Sequence, residues 1–191
     1  MKLIIGEENA DLVFFENIKI EYYLRNLPYK IRMENICKVK LIDGEEWVVF
    51  NSEFNEKLSA QILKFLSRYQ RVKFESEFNQ SVDKLPNSLT HIEFGRFFNQ
   101  RVDNLPSSLT HLKFGWDFNQ PVDNLPDSLT NIVFGCDFDQ PVDNLPELLT
   151  VLVFGNNFNQ PINKFPNSLK KIEIPKNYSH PLPDNIEVVK I

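Results

Sequence analysis

The chain has 191 residues, of which 42% are hydrophobic and 17 are phenylalanine, and its formal net charge is −5. This length fits one domain, and the acidic balance excludes the basic footprint of a nucleic-acid-binding protein. Lysine and arginine are scattered, which argues against a membrane-surface patch, and no apolar run reaches the length of a membrane span. The 2 cysteines lie far apart, which favours a reducing, intracellular and cytoplasmic setting over a disulfide scaffold.

Residues 1–54 are predicted to form an irregular, strand-rich region that caps the start of the molecule. Short apolar or alternating runs occur at residues 3–5, 12–15, 36–42 and 47–50. Turn-like residues at 9–11 and 43–45 separate these runs, which indicates short strands. Residues 26–31 resemble a degenerate copy of a Leu-Pro motif that recurs later in the chain.

A capping helix is predicted over residues 55–70, with Asn55 as its N-cap. The apolar side chains of this segment fall on one helical face: Leu58, Ile62, Phe65, Leu66 and Tyr69. Because terminal repeats need an atypical cap, we expect this face to cover the open apolar end of the first coil.

A twenty-residue period organises residues 71–191. Leu-Pro or Phe-Pro pairs and glycines recur at the same step as a set of phenylalanines. Those phenylalanines are Phe78, Phe98, Phe118, Phe138 and Phe158. A fixed period of about 20 to 29 residues indicates stacked repeats. The last copy follows its predecessor at an offset of 17, so the final repeat is shortened.

Each repeat predicts one short strand and one tight return. Leu109, Leu112 and Phe114 follow the Leu-x-x-Leu-x-Leu spacing of a leucine-rich repeat. Because side chains alternate along a strand, Leu112 and Phe114 should point inward. Pro106 fixes φ and lacks a donor, so it should begin a turn or a 3₁₀ segment. The sequence therefore predicts a leucine-rich-repeat solenoid with short parallel strands on one face and turns or 3₁₀ segments on the other.

The repeated motifs resemble the FNIP repeat, a branch of the leucine-rich-repeat class. Residues 118–122 read Phe-Asn-Gln-Pro-Val and residues 125–129 read Leu-Pro-Asp-Ser-Leu, as in the family signature. The sequence departs from that signature at Ser81 and Arg101, where the family has proline, and at Asp139, where it has asparagine. Proteins with these repeats are abundant in social amoebae and in giant viruses that infect amoebae. Some carry an F-box ahead of the repeats, which implies substrate recruitment to a ubiquitin ligase.

The invariant positions are interpreted as structural. We expect the five phenylalanines, continued by Tyr178, to stack as an aromatic spine. Asparagine and glutamine after each phenylalanine should form ladders along the stack, with Asp139 as the weakest rung. An aspartate line is interpreted as turn capping rather than calcium binding, because calcium needs six to eight oxygens from a compact loop. The line comprises Asp83, Asp103, Asp123 and Asp143.

No constellation for catalysis stands out, and we predict no enzyme activity, no cofactor and no metal site. His91 and His111 occupy equivalent outward positions on adjacent strands. A two-histidine metal site there is the alternative to plain surface histidines, but no third ligand has a defined spacing. The recurring glycines are interpreted as serving a tight corner or close packing.

Recognition is expected at the outward strand positions, which differ from repeat to repeat. The inward positions are nearly the same in every repeat, because they are needed for stacking. We predict that the outward positions bind an unknown host or viral protein through the strand face. The candidate partner-binding residues are His111, Lys113, Trp116, Asn131, Val133, Val151 and Val153. Their apolar centre is rimmed by charge, as a protein-binding surface requires. The plainer interpretation is that valine simply suits a strand.

Two other functions remain open at this stage. The resemblance implies a substrate-recruiting ligase adaptor, although no F-box is recognisable in residues 1–65. The last strand, with Val188 and Lys190 outward by a 17-residue alignment, leaves its backbone groups open and predicts a homodimer through the C-terminal edge.

Overall fold

The computed structural model describes residues 36–191, and the predicted features at 3–5, 12–15 and 26–31 lie outside that range. Within it, nine strands form one sheet in chain order, and helix α1 (Ala60–Leu66) lies between β2 and β3. The strands are β1 (Cys37–Ile42), β2 (Glu45–Phe50), β3 (Arg71–Lys73), β4 (His91–Glu93), β5 (His111–Lys113), β6 (Asn131–Val133), β7 (Val151–Val153), β8 (Lys171–Ile174) and β9 (Glu187–Lys190).

Every pair from β2 to β9 is parallel, so the predicted solenoid is confirmed. From β3 to β8 each residue lies opposite the residue 20 positions later, as Ile92 lies opposite Leu112. The middle residue of each three-residue strand is buried. The returns are turns, in which Leu109 N–H donates to Pro106 O at 3.1 Å.

An antiparallel hairpin of β1 and β2 closes the N-terminal end of the described chain. Asp43 and Gly44 both have positive φ, 53° and 80°, as a two-residue hairpin turn requires. The predicted runs at 36–42 and 47–50 are therefore confirmed as strands. Exposed Lys38 and Lys40 lie on β1, the first strand of the described part of the sheet, where charged side chains discourage pairing with another chain.

Helix α1 is shorter than predicted and begins after Ser59, whose side chain accepts from Ile62 N–H at 3.3 Å. The assignment of Asn55 as N-cap is wrong. Phe54 stacks on Phe78 with ring centroids 5.8 Å apart and planes 3° apart. That stacking places Asn55 in the asparagine ladder of the solenoid, so residues 54–55 are an early Phe-Asn pair. Four extra residues before the next pair accommodate the start of the helix.

The predicted aromatic spine is confirmed. Neighbouring rings of its five phenylalanines have centroids 6.0 to 6.1 Å apart, and Tyr178 follows at 5.9 Å. A second file, which the sequence reasoning did not identify, runs beside it at 5.4 to 5.7 Å spacing and contacts it at 3.7 to 4.1 Å. Its members are Phe74, Phe94, Phe114, Phe134 and Phe154. Each buried ring contributes about 2 kcal/mol or more.

Amide side chains join successive coils, as predicted. Asn99 Oδ1 accepts from Asn119 N–H at 3.0 Å and from Gln120 Nε2 at 3.1 Å, and the same pair of bonds recurs at Asn55, Asn79 and Asn119. At Asp139 the backbone bond to Asn159 persists at 2.9 Å, without a bond from Gln160. The Asp139 rung therefore has one hydrogen bond fewer than those rungs, which agrees with the prediction that it is the weakest rung.

The aspartate line also joins coils, which differs from the predicted local turn capping. Asp103 Oδ1 accepts from Asn124 Nδ2 at 3.2 Å, one coil further along. Equivalent bonds link Asp83, Asp123 and Asp143 to the next coil. An amide one coil away satisfies these carboxylates because the stack presents the same turn every twenty residues.

Candidate functional site

The outward residues of β3 to β8 form two rows, which we call the strand face. Register places the first residues of the strands in one row and the third residues in the other. The first row is Arg71, His91, His111, Asn131, Val151 and Lys171. The second row is Lys73, Glu93, Lys113, Val133, Val153 and Glu173. Six of the seven predicted partner-binding residues therefore lie together on this face.

The last strand does not follow the predicted alignment. Glu187 lies opposite Lys171 and Val189 opposite Glu173, an offset of 16. Val188 and Lys190 are therefore in register with the inward residues, and their assignment as outward is wrong. Ile186, directly before the strand, is buried. Lys190 Nζ lies 5.6 Å from the Tyr178 ring centroid and donates to Tyr178 O at 2.9 Å, so it covers the end of the aromatic spine.

The ends of the strand face are neutralised by ion pairs. Arg71 pairs with Glu45 at 3.1 Å, and Lys171 pairs with Glu173 at 2.7 Å. Lys73 lies 3.6 Å from Glu93 and 3.9 Å from Glu75. The ion pairs of the strand face thus lie at its two ends. Its centre, from β5 to β7, instead presents valines and a lysine that is unpaired among the described residues.

The centre of the strand face carries one unpaired charge beside apolar side chains. Lys113 is exposed, and within residues 36–191 it forms no ion pair. Val133 lies opposite it on the next strand and Val153 on the strand after that. Val133, Val151 and Val153 are all half-buried, so part of each side chain is in contact with solvent.

Two stacked histidines stand beside this centre. The His91 and His111 rings are 4.1 Å apart with planes 8° apart, and the Trp47 ring meets His91 edge-on at 6.1 Å. Burial, the other imidazole and Arg71 lower the pKa of His91 to about 4. Burial and Arg71 also lower the pKa of His111. Both rings are consequently uncharged at neutral pH.

Hydrogen bonds fix the orientation of these rings. Thr90 and Thr110 donate their hydroxyl protons to carbonyls of the preceding coil, at 3.2 and 3.0 Å. Each hydroxyl oxygen also lies 2.9 Å from the Nδ1 of the following histidine, which ties each ring to the start of its own strand. Among residues 36–191, no three His, Cys, Asp or Glu side chains cluster as a metal site would require.

Trp116 lies on the turn after β5, next to the strand face in sequence. It is 52% exposed, and Arg96 stands 5.8 Å from its ring and 5.2 Å from the ring of Phe97. Phe97 is 37% exposed and was missed by the sequence reasoning. The signal was present, because the equivalent positions of the next two repeats are Asp117 and Asp137.

Comparisons with known proteins agree with this architecture. The FNIP Repeat family model matches residues 78–115, 98–137, 118–146 and 138–177. Among solved structures, the crystal structure of CroV588, a circular leucine-rich-repeat protein of the giant virus CroV, is similar over 73% of this chain with 41% identity and a TM-score of 0.66. The similar region spans 22% of that protein. No curated protein matches. Within residues 36–191 no helix has the length and apolar character to cross a membrane.

Proposed function

From the premise that this chain belongs to the FNIP repeat family, we propose that it is a non-enzymatic module that holds a protein partner against its strand face. Leucine-rich-repeat solenoids generally act as scaffolds for protein interactions and are typically not catalytic. We place the module in the cytoplasm, that of the host cell if the protein is viral, where cysteines stay reduced. Both cysteines are free, and burial raises the pKa of Cys37 to about 12, so its thiol is inert.

The observation that carries this proposal is the contrast between the ends and the centre of the strand face. Ion pairs satisfy the charges of β3, β4 and β8, whereas β5 to β7 present half-buried valines and an unpaired lysine. An apolar surface with a polar rim is the usual composition of a protein-binding site. Outward residues are also free to vary, because the aromatic files and amide ladders that hold the coils together face elsewhere.

A capture experiment with matched variants tests the proposal. Immobilised wild-type protein and the double variant Val133→Glu/Val153→Glu are incubated with amoebal lysate, and a recovered protein is purified and titrated against both. We expect at least a tenfold loss of affinity, because two carboxylates are placed in the centre of a desolvated interface. Leu148→Glu is the control, since Leu148 is 59% exposed but lies outside the strand face.

The result separates the candidate functions. Equal binding by wild type and double variant refutes the strand-face proposal. Recovery of a ubiquitin-ligase scaffold together with its substrate would favour the adaptor role instead. The homodimer through β9 stays a prediction, and light scattering of the purified protein reports on it directly.

A further inference from the structure

Lys113 carries the one charge of the strand face that no side chain among residues 36–191 neutralises. The nearest acidic residue in its row, Glu93, is held by Lys73 at 3.6 Å, and the residue on the other side is Val133. A partner that covers the face must remove water from the Lys113 ammonium. Burying an ammonium without a counter-charge costs far more than burying a paired one. The partner must therefore supply an anion at this position.

Starting from the proposed strand-face function, we infer that the partner presents a segment in which a carboxylate meets Lys113 and an aliphatic or aromatic side chain covers Val133 and Val153. Adjacent strands lie about 4.8 Å apart, so the two contacts are separated by about 5 to 10 Å. An extended segment spans about 6.6 Å between residues i and i+2, which fits this separation. The recognised pattern is thus an acidic residue and an apolar residue two to three positions apart.

The surroundings of Lys113 restrict the charge of that segment. His111 is uncharged at neutral pH because burial and Arg71 lower its pKa, and Asn131 beside it is neutral. The face therefore offers one unpaired positive charge among its described residues, and a second carboxylate on the segment gains no ion pair. A basic segment is repelled by Lys113. A single cation is also too little to hold a nucleic-acid backbone, whose affinity comes from many phosphate contacts.

Peptide selection gives a test that needs no identified partner. A random peptide library displayed on phage is selected against the wild-type protein, with elution by excess soluble protein. We expect the enriched peptides to share an acidic residue two to three positions from a leucine, valine or aromatic residue. Enrichment of basic peptides, or no enrichment at all, overturns the inference.

The enriched peptide is then synthesised with a fluorophore and titrated by anisotropy. We expect Lys113→Met to weaken binding about 5- to 10-fold and Lys113→Arg to leave it nearly unchanged, since arginine keeps the positive charge that meets the carboxylate. Raised salt should weaken binding to wild type but not to Lys113→Met. Unchanged affinity for Lys113→Met refutes this inference while loss in Val133→Glu/Val153→Glu still supports the strand face. Unchanged affinity in both variants refutes the proposed function as well.

Discussion

Replacing Gly135 with alanine tests how closely the coils are stacked. A Cβ at Gly135 would lie 1.7 Å from the carbonyl oxygen of Gly115, whereas ordinary contact begins at 3.4 Å. The same approach occurs at Gly95, Gly115 and Gly155, with oxygens 2.0 to 2.1 Å away. The obstacle is backbone, so no side chain can rotate out of the way. These glycines therefore serve close packing, the second of the two roles that the repeat pattern suggested.

The cost of Gly135→Ala follows from the bonds on either side of the contact. Separating the coils by about 1.7 Å would stretch the bonds from Phe114 N–H to Val133 O at 2.8 Å and from Asp137 N–H to Trp116 O at 2.9 Å. Each lost bond costs about 1 kcal/mol, and disturbed packing of the aromatic files adds about 1 kcal/mol or more. We expect the free energy of unfolding to fall by about 3 kcal/mol.

Urea unfolding followed by circular dichroism measures this loss. With a typical slope of about 2 kcal/mol/M, the midpoint should fall by about 1.5 M. Glu75→Ala is the matched control, because Glu75 occupies the same column three coils earlier and already carries a side chain. Its effect should stay within about 0.5 kcal/mol. A Gly135→Ala variant as stable as Glu75→Ala would refute the reasoning.

Three further perturbations have defined outcomes in the same unfolding assay. Tyr178→Phe should change stability by no more than about 1 kcal/mol, because within residues 36–191 the buried Tyr178 hydroxyl has no well-formed hydrogen bond, although the Ile162 backbone lies near it; a clear loss would contradict this. Asn99→Ala should cost about 2 kcal/mol through two lost bonds, whereas Asn99→Asp keeps an acceptor and should cost less; equal losses would argue against the ladder. The pKa of His91 falls from 6.5 unfolded to about 4 folded, so the unfolded state binds more protons and stability is lost as pH falls from 6.5 to 4. Discounted for solvent screening, this loss is about 1 kcal/mol. It should be absent from His91→Asn, and identical pH profiles would refute the assignment.

Sequence pattern alone located most of the candidate site. Alternation along a strand assigns Lys113 and Val133 outward once Leu112 is assigned inward, and the twenty-residue period brings equivalent residues of successive coils side by side. Phe97 was not predicted, because the recognition positions predicted in this turn were the residues directly after each glycine, and Phe97 is the second residue after Gly95. Ion-pair partners depend on how far each charged side chain reaches, and sequence position alone does not give that distance.

The amino-acid pattern is enough to predict the period, the inward aromatic residues and the parallel stack, because each coil repeats the same local contacts. The tertiary structure decided what depends on contacts between unlike segments. Stacking of Phe54 on Phe78 takes Asn55 out of the helix and into the ladder. The last strand pairs one residue away from the predicted register, with Ile186 buried directly before it, and this register brings Lys190 over Tyr178. These outcomes arise where the repeat is irregular, since there a residue's neighbours are set by packing and no longer by the period.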